Sequence, residues 1–382
     1  MEKIRLMTII GTRPEIIRLS EIIKKCDLYF DHILVHTGQN YDYSLNQVFF
    51  EELGLRRPDY YLDVAGENLG ETLGNIINRS FRLMTECQPD VLLILGDTNS
   101  ALSAIPAKRL KIPVFHMEAG NRCFDENLPE EINRRIVDHI SDVNLCYSEH
   151  ARRYLNQEGT PKERTFVVGS PMAEVLDRHL STIRKSRVLS RLNLEPQKYI
   201  LLSAHREENM DNEKNFYQLM ESIAVLADHY QIPIIYSLHP RSRKFVLQRK
   251  FEFPSLVQPM EPFGFIDYVY LQMNAKCVVS DSGTLPEESA FFGSKGMPFA
   301  AVCIRTSTER PEALDKGNFI LAGIGKESVS QAVEMAVMMS QAGELPSRVL
   351  DYAEENVSLK VVKIIQSYVG IVNQTVWRKH CD

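Results

Sequence analysis

The sequence predicts an α/β protein built as two doubly wound parallel-sheet domains, and three observations carry that prediction. Its 382 residues exceed the size at which one hydrophobic core stops growing, so two domains of roughly 170 to 200 residues are expected. Short β-rich runs alternate with helix-period segments from the start of the chain. That rhythm breaks once, in a charged stretch near the middle, and then resumes.

In the first half, Ile4 to Ile10 is an apolar, β-branched run stopped by Gly11, which reads as a buried strand and its turn. Pro14 to Lys25 follows with helical spacing of its apolar residues. Ile33 to His36, Val91 to Leu95, Pro113 to His116, Val143 to Cys146 and Phe166 to Val168 read as further strands, with Leu73 to Cys87 and Glu130 to Ile140 as helices between them. Pro171 to Lys198 loses the alternation and is rich in charge, which suits a connection between domains. Tyr199 to Ser203, Ile232 to Leu238, Cys277 to Ser280, Ala300 to Ile304 and Phe319 to Leu321 then read as strands, with Asn215 to Tyr230 and Ser328 to Met339 as helices. Leu359 to Tyr368 is a last helix-period segment. The expected domains are residues 1–170 and 171–358, with 359–382 returning to the first.

Composition narrows the function. Hydrophobic residues at 44% and charged residues at 25% are ordinary for a folded soluble protein. A formal net charge of −6 shows no basic excess, which argues against nucleic-acid and membrane-surface partners. The apolar start is too short for a signal peptide or a membrane span. The seven cysteines are scattered without a C-x-x-C pair, so a disulfide framework or zinc site is not expected and a cytoplasmic location fits.

Ligands of open parallel sheets sit beyond the carboxyl ends of the strands, so the residues after each strand matter most. They are Gly11-Thr12-Arg13-Pro14-Glu15, Gly96-Asp97-Thr98, His116-Met117-Glu118-Ala119-Gly120, His205-Arg206-Glu207-Glu208-Asn209, His239-Pro240-Arg241, Asp281-Ser282-Gly283-Thr284 and Arg305. A single strand-end glycine or aspartate is most often a turn or a cap. So many together suggest a site for an anionic small molecule, in a cleft if the two sheet edges face each other.

Ser280 to Glu288 runs from a strand through a Ser-Gly turn into a helix with Pro286 in its first turn. Such a helix start, with the Ser282 and Thr284 hydroxyls, can hold a diphosphate; the plain alternative is a Ser/Thr cap. Glu288 reads as a ribose acceptor or as a capping carboxylate. Glu118 to Arg135 is unusually polar, and its carboxylates read either as a salt-bridged helix face or as groups for acid and base work.

Absent motifs restrict the chemistry further. Gly11-Thr12-Arg13-Pro14 is no G-x-G-x-x-G, so bound NAD is not expected. Gly323-Ile324-Gly325-Lys326 only faintly resembles a phosphate loop and reads as a strand-to-helix turn. His32 and His36 lie about 13 Å apart if extended, too far to share a metal.

Taken in order, Gly11 to Glu15, Gly96 to Thr98, Glu118 to Gly120, Pro129-Glu130-Glu131 with Asn133-Arg134, His205-Arg206, Ser280 to Gly283 with Glu287-Glu288, and Glu309 to Glu312 resemble the non-hydrolysing UDP-N-acetylglucosamine 2-epimerase family. The resemblance spans about residues 4 to 325. It implies a GT-B-type fold of two Rossmann-like domains facing across a cleft, a homodimer, a UDP-sugar substrate, and neither an organic cofactor nor an obligatory metal. It further implies that Asp97, Glu118 and Glu130 handle protons and that His205 assists departure of UDP. Arg13, Arg18, Ser282, Gly283, Thr284, Glu288 and Arg305 are implied in binding the UDP-sugar. The implied reaction is anti elimination of UDP to a glycal, followed by re-addition.

Departures from the glucosamine pattern bear on the substrate. Arg18 stands where the family usually has lysine, Thr284 where it has a second glycine, and Pro286 where it has glutamine. Asn121 to Asp125, His36 to Tyr43 and Pro262 to Phe265 look more like the branch that forms UDP-N-acetyl-L-fucosamine from UDP-2-acetamido-2,6-dideoxy-L-talose, for surface polysaccharides such as capsule or O-antigen. Phe124, Phe263 and Phe265 would suit a sugar with a methyl at carbon 6, or belong to the core. The alternatives are a UDP-N-acetylglucosamine/UDP-N-acetylmannosamine 2-epimerase, a GT-B glycosyltransferase, a hydrolysing epimerase and a non-catalytic nucleotide-sugar sensor.

Overall fold

A computed structural model describes residues 2–38 and 47–379, apart from the side chain of Glu207. The chain forms two compact units, one from Met1–Asp177 with Glu354–Asp382 and one from Arg178–Ala353.

The first unit holds a seven-stranded parallel sheet: β1 (Arg5–Ile10), β2 (Asp31–His36), β3 (Tyr60–Tyr61), β4 (Val91–Leu95), β5 (Val114–Met117), β6 (Val143–Cys146) and β7 (Thr165–Val167), in the order β3-β2-β1-β4-β5-β6-β7. The second holds β8 (Ile200–Ser203), β9 (Ile234–Ser237), β10 (Val257–Met260), β11 (Cys277–Ser280), β12 (Ala301–Cys303) and β13 (Ile320–Leu321), in the order β10-β9-β8-β11-β12-β13. Strand order reverses between β1 and β4 in one sheet and between β8 and β11 in the other. Those reversals open the crevices where doubly wound folds bind ligands.

The local reasons are plain. Every residue of β4, β5, β6, β8, β9 and β11 is buried, as expected when helices cover both faces of a parallel sheet. Leu92 and Ile94 of β4 pack with Ile76 and Met84 of the helix Leu69–Cys87 and with Val137 of the helix Pro129–Ile140. Cutting such a leucine to alanine costs about 2–5 kcal/mol. In the second unit Phe216, Leu219 and Ile223 of the helix Glu213–Tyr230 pack with Ile200 and Leu202 of β8 and Val279 of β11.

Two features depart from the sequence reading. Pro171 to Lys198 contains the helices Met172–Ile183 and Val188–Leu192, the first of which carries the chain from one unit into the other. β3 and β10 were not anticipated. The final helix runs Val357–Thr375 and packs on the helix Arg13–Tyr29. Ser358 donates its N–H (2.8 Å) and its hydroxyl to the buried carboxylate of Glu174. The turn at Gly323 to Lys326 joins β13 to the helix Lys326–Gln341, as read. Among the described residues, no helix is long and apolar enough to cross a membrane, and the described cysteines are free thiols.

Candidate active site

In the first unit the candidate residues follow β1, β4 and β5. After β1, Glu15 Oε2 accepts from the backbone N–H of Gly11 (3.0 Å) and Thr12 (2.6 Å) and from the Thr12 hydroxyl (2.8 Å). The Ser100 hydroxyl donates to the other oxygen. This T-x-x-E arrangement closes the start of the helix Arg13–Tyr29. Burial pushes the Glu15 carboxyl up to about 7, against the donors that favour its charged form. The box fixes Arg13 in the first turn, its guanidinium 5.8 Å from the Phe49 ring centre.

One turn further on, buried Arg18 reaches Glu118: its Nη1 donates to both carboxylate oxygens, at 3.0 and 2.8 Å. Glu118 follows β5 and takes a left-handed backbone, φ +64°, which strains a residue with a side chain. The Asn121 amide also donates to it at 3.3 Å. Two residues on, Gly120 has φ +83°, and a Cβ there would meet the Ala151 carbonyl at 2.4 Å, so only glycine fits. Wholly buried Asp138 ties this loop down. It accepts from Gly120 N–H at 3.2 and 3.1 Å and pairs with Arg122 (2.6 Å) and His116 (2.9 Å). Burial pushes the Asp138 carboxyl up, but its contacts with His116 and Arg122 outweigh that and hold it below its usual range.

Leu95 of β4 pairs in register with Met117 of β5, so the Gly96-Asp97 turn lies beside Glu118. Asp97 pairs with Arg134 at 2.5 Å, and its carbonyl accepts from Asn133 at 3.0 Å. Arg134 also pairs with buried Glu131 (3.1 Å), which Arg135 approaches at 3.3 Å. The helix Pro129–Ile140 thus carries a salt-bridged face. Glu130 stands outside it: half-buried, it makes no ion pair or hydrogen bond among the described residues.

In the second unit Ser203 of β8 pairs in register with Ser280 of β11, which sets His205-Arg206 beside Asp281 to Thr284. The Ser282 and Thr284 hydroxyls lie 2.9 Å apart, and Thr284 donates to Glu288 at 3.0 Å. The Gln272 amide donates to the other Glu288 oxygen at 2.6 Å. Glu288 is therefore a cap-like acceptor, with a donor on each carboxylate oxygen. A Cβ on Gly283 would come to 2.9 Å of Glu309 Oε1 and 3.4 Å of an Arg206 nitrogen, so glycine lets these charges approach the turn. Arg305, buried after β12, pairs with Glu309 at 2.8 Å, while its Nε and Nη2 make no hydrogen bond among the described residues. Buried guanidinium N–H groups of this kind suit an anionic acceptor.

Of the three phenylalanines, Phe263 and Phe265 belong to the core, and Phe265 stacks edge-on with His179. Phe124 is 61% exposed and packs against Tyr154. In the segment His36 to Tyr43, residues 39–43 lie outside the described residues. Asp138 was not singled out in the sequence, since nothing local distinguishes it, while Asp281 and Glu309 were read as members of motifs without a role of their own. Among the described residues no group of three His, Cys, Asp or Glu side chains could hold a metal ion.

The family model described as UDP-N-acetylglucosamine 2-epimerase matches residues 24–366. The chain belongs to the UDP-N-acetylglucosamine 2-epimerase family. It is an epimerase, with the two parallel-sheet domains of that family's GT-B-type fold. The structure of the UDP-N-acetylglucosamine 2-epimerase of Rickettsia bellii is 47% identical, with a TM-score of 0.91 over 99% of this chain and 100% of that one. The epimerase of Methanocaldococcus jannaschii in complex with UDP-GlcNAc and UDP is 33% identical, with a TM-score of 0.87 over 95% of this chain and 99% of that one. The UDP-2,3-diacetamido-2,3-dideoxy-D-glucuronate 2-epimerase of Pseudomonas aeruginosa is 30% identical over 91% of this chain and 99% of its own length.

Proposed function

We propose that this epimerase inverts carbon 2 of UDP-2-acetamido-2,6-dideoxy-L-talose to give UDP-N-acetyl-L-fucosamine, by eliminating UDP and adding it back. The observation that carries the chemistry is the set of carboxylates on the strand-end loops and at the start of the helix Pro129–Ile140 in the first unit. Asp97 and Glu118 are held by arginines, while Glu130 is uncommitted. A proton beside an acetamido group is only weakly acidic, so its removal is coupled to loss of a good leaving group. One carboxylate takes the carbon 2 proton, the bond from carbon 1 to the UDP oxygen breaks with its electron pair on UDP, and a glycal forms. Protonation of the opposite face of carbon 2 and return of UDP to carbon 1 give the epimer.

Arg13, Arg18, Arg305 and the Ser282-Gly283-Thr284 turn would carry the charge that builds on the diphosphate, Glu288 would bind the ribose, and His205 would trade a proton with the leaving oxygen. Exclusion of water from the bound glycal would keep it from being trapped before UDP returns. The reading needs no cofactor.

Membership of the family leaves the sugar open, because the Pseudomonas relative is named for a different one. Support for the deoxy sugar comes from the Asn121 to Asp125 loop and from Phe124, whose exposed ring suits a carbon 6 methyl group. Incubation with UDP-2-acetamido-2,6-dideoxy-L-talose and, separately, UDP-N-acetylglucosamine, followed by chromatography, tests the choice. The deoxy sugar should give its 2-epimer at the higher kcat/KM without net UDP release. Faster turnover of UDP-N-acetylglucosamine would move the assignment to that substrate.

We also propose a cytoplasmic homodimer. Leu69 and Phe81 of the helix Leu69–Cys87 and Ile132 and Ile136 of the helix Pro129–Ile140 are exposed apolar residues on elements linked through the helix Ala104–Arg109. A second copy of this chain would cover them. Light scattering at a monomer's mass would contradict that.

A further inference from the structure

We propose that Asp281 is the positioning residue for His205, holding the imidazole so that Nδ1 keeps its proton in both charge states and Nε2 is the nitrogen that exchanges one. The inference rests on the reading of His205 given above.

The geometry comes from the reversal between β8 and β11. Register places Ser203 opposite Ser280, so the residues that leave the two strands meet. Asp281 is wholly buried. Its Oδ2 accepts from the backbone N–H of His205 (2.8 Å), from that of Arg206 (2.9 Å) and from the Asn209 amide (3.2 Å). Asn209 is fixed in turn by donating to the Ile304 carbonyl at 3.1 Å. Three donors occupy one carboxylate oxygen and leave the carboxylate no freedom to rotate.

The other oxygen, Oδ1, stands 3.2 Å from His205 Nδ1 and makes no hydrogen bond of its own. A buried carboxylate oxygen facing a ring nitrogen is repelled by a lone pair and satisfied by a proton. Nδ1 therefore carries hydrogen whether the ring is neutral or cationic.

The neighbouring ring sharpens the assignment. His239 lies beside His205, with ring centres 5.4 Å apart and planes at 32°. Its Nδ1 accepts from the Arg241 backbone N–H at 3.2 Å, so its own proton sits on Nε2. The protein thus fixes opposite tautomers in two adjacent histidines.

Substitution reads this out in a specific way. In Asp281→Asn the amide oxygen must stay with the three donors at Oδ2, which turns the amide NH2 toward His205 Nδ1. The ring then flips to the Nε2–H tautomer, while the loop keeps its anchors. Turnover should fall by roughly 10²- to 10⁴-fold, the span of a general acid–base contribution, with UDP affinity largely kept because an Nε2–H still donates to phosphate. A purely structural role would instead lower UDP affinity and turnover together.

The decisive experiment is 15N-edited NMR of the imidazoles in the unliganded full-length wild type and in Asp281→Asn, with turnover and UDP binding measured alongside. The result expected is an Nδ1–H tautomer for His205 and an Nε2–H tautomer for His239 in the wild type, and reversal at His205 in the variant. An Nε2–H tautomer for wild-type His205, or undiminished turnover in a folded Asp281→Asn protein, overturns the proposal. Because the wild-type spectrum needs no substrate, it decides the matter even if the variant does not fold. If the tautomer is as expected and neither sugar is epimerised, the reaction assigned above fails while the placement of His205 stands.

Discussion

Arg18 and Glu118 form a buried ion pair in which one guanidinium nitrogen serves both carboxylate oxygens. Both side chains are about 7% exposed, so neither partner can turn to water when the other is lost. Arg18→Met should cost about 3–5 kcal/mol, the penalty for an uncompensated buried charge. Adding Glu118→Gln should recover much of that loss. Chemical denaturation of the two single variants and the double variant checks this. Additivity within about 0.5 kcal/mol would mean that the pair is not coupled.

Glu130 differs from its neighbours in making no ion pair or hydrogen bond among the described residues. Glu130→Gln should leave the melting temperature unchanged while cutting turnover by roughly 10²-fold or more, if it handles a proton as proposed. Asp97→Asn and Glu118→Gln, which break pairs with Arg134 and Arg18, should lower both quantities. Calorimetry and an epimer assay on the three variants separate the cases. Full activity in Glu130→Gln would remove it from the reaction.

Arg305 presents two buried N–H-bearing atoms without a hydrogen bond among the described residues. Arg305→Ala should weaken UDP binding by about 10- to 100-fold, the range of charged hydrogen bonds. Titration calorimetry with UDP gives the answer. Unchanged affinity would assign the arginine to its ion pair with Glu309 alone.

Two buried groups give opposing pH dependences of stability. Glu15 is raised by burial to about 7 from an ordinary 4.5, so the folded state binds more protons between those values and stability falls as pH rises through that window. His36 is lowered by burial to about 4 from 6.5, so the folded state binds fewer protons and stability falls as pH drops from 6.5 toward 4. Glu15→Gln should remove the first slope, leaving stability that rises with pH between about 4.5 and 6.5. Denaturation midpoints across that range check the sign. A persisting decline toward neutral pH in the variant would contradict the Glu15 assignment.

What the sequence made legible follows from how local each signal is. Val91 to Leu95 and Cys277 to Ser280 are short apolar runs ended by glycine or aspartate, and both form strands at those bounds. β10 contains Pro259, which is tolerated there because β10 is an edge strand, and the same proline hides it from a pattern search. β3 is two exposed tyrosines, too short to show alternation. In the helix Met172–Ile183 the apolar positions are diluted by charge, so it reads as a connection. The loops that hold the candidate site were legible because they follow strands. Who contacts whom was not: Asp281 meets His205 only through the pairing of β8 with β11, and Arg18 meets Glu118 across 100 residues of sequence.

The claim that orders the rest is that carbon 2 loses and regains a proton while UDP departs and returns. Proton NMR of the enzyme in D2O with UDP-2-acetamido-2,6-dideoxy-L-talose tests it directly. Deuterium should appear at carbon 2 of the 2-epimer, with no lasting release of UDP. Epimer that retains its original hydrogen at carbon 2, or a complete absence of exchange with this sugar and with UDP-N-acetylglucosamine, would contradict the account.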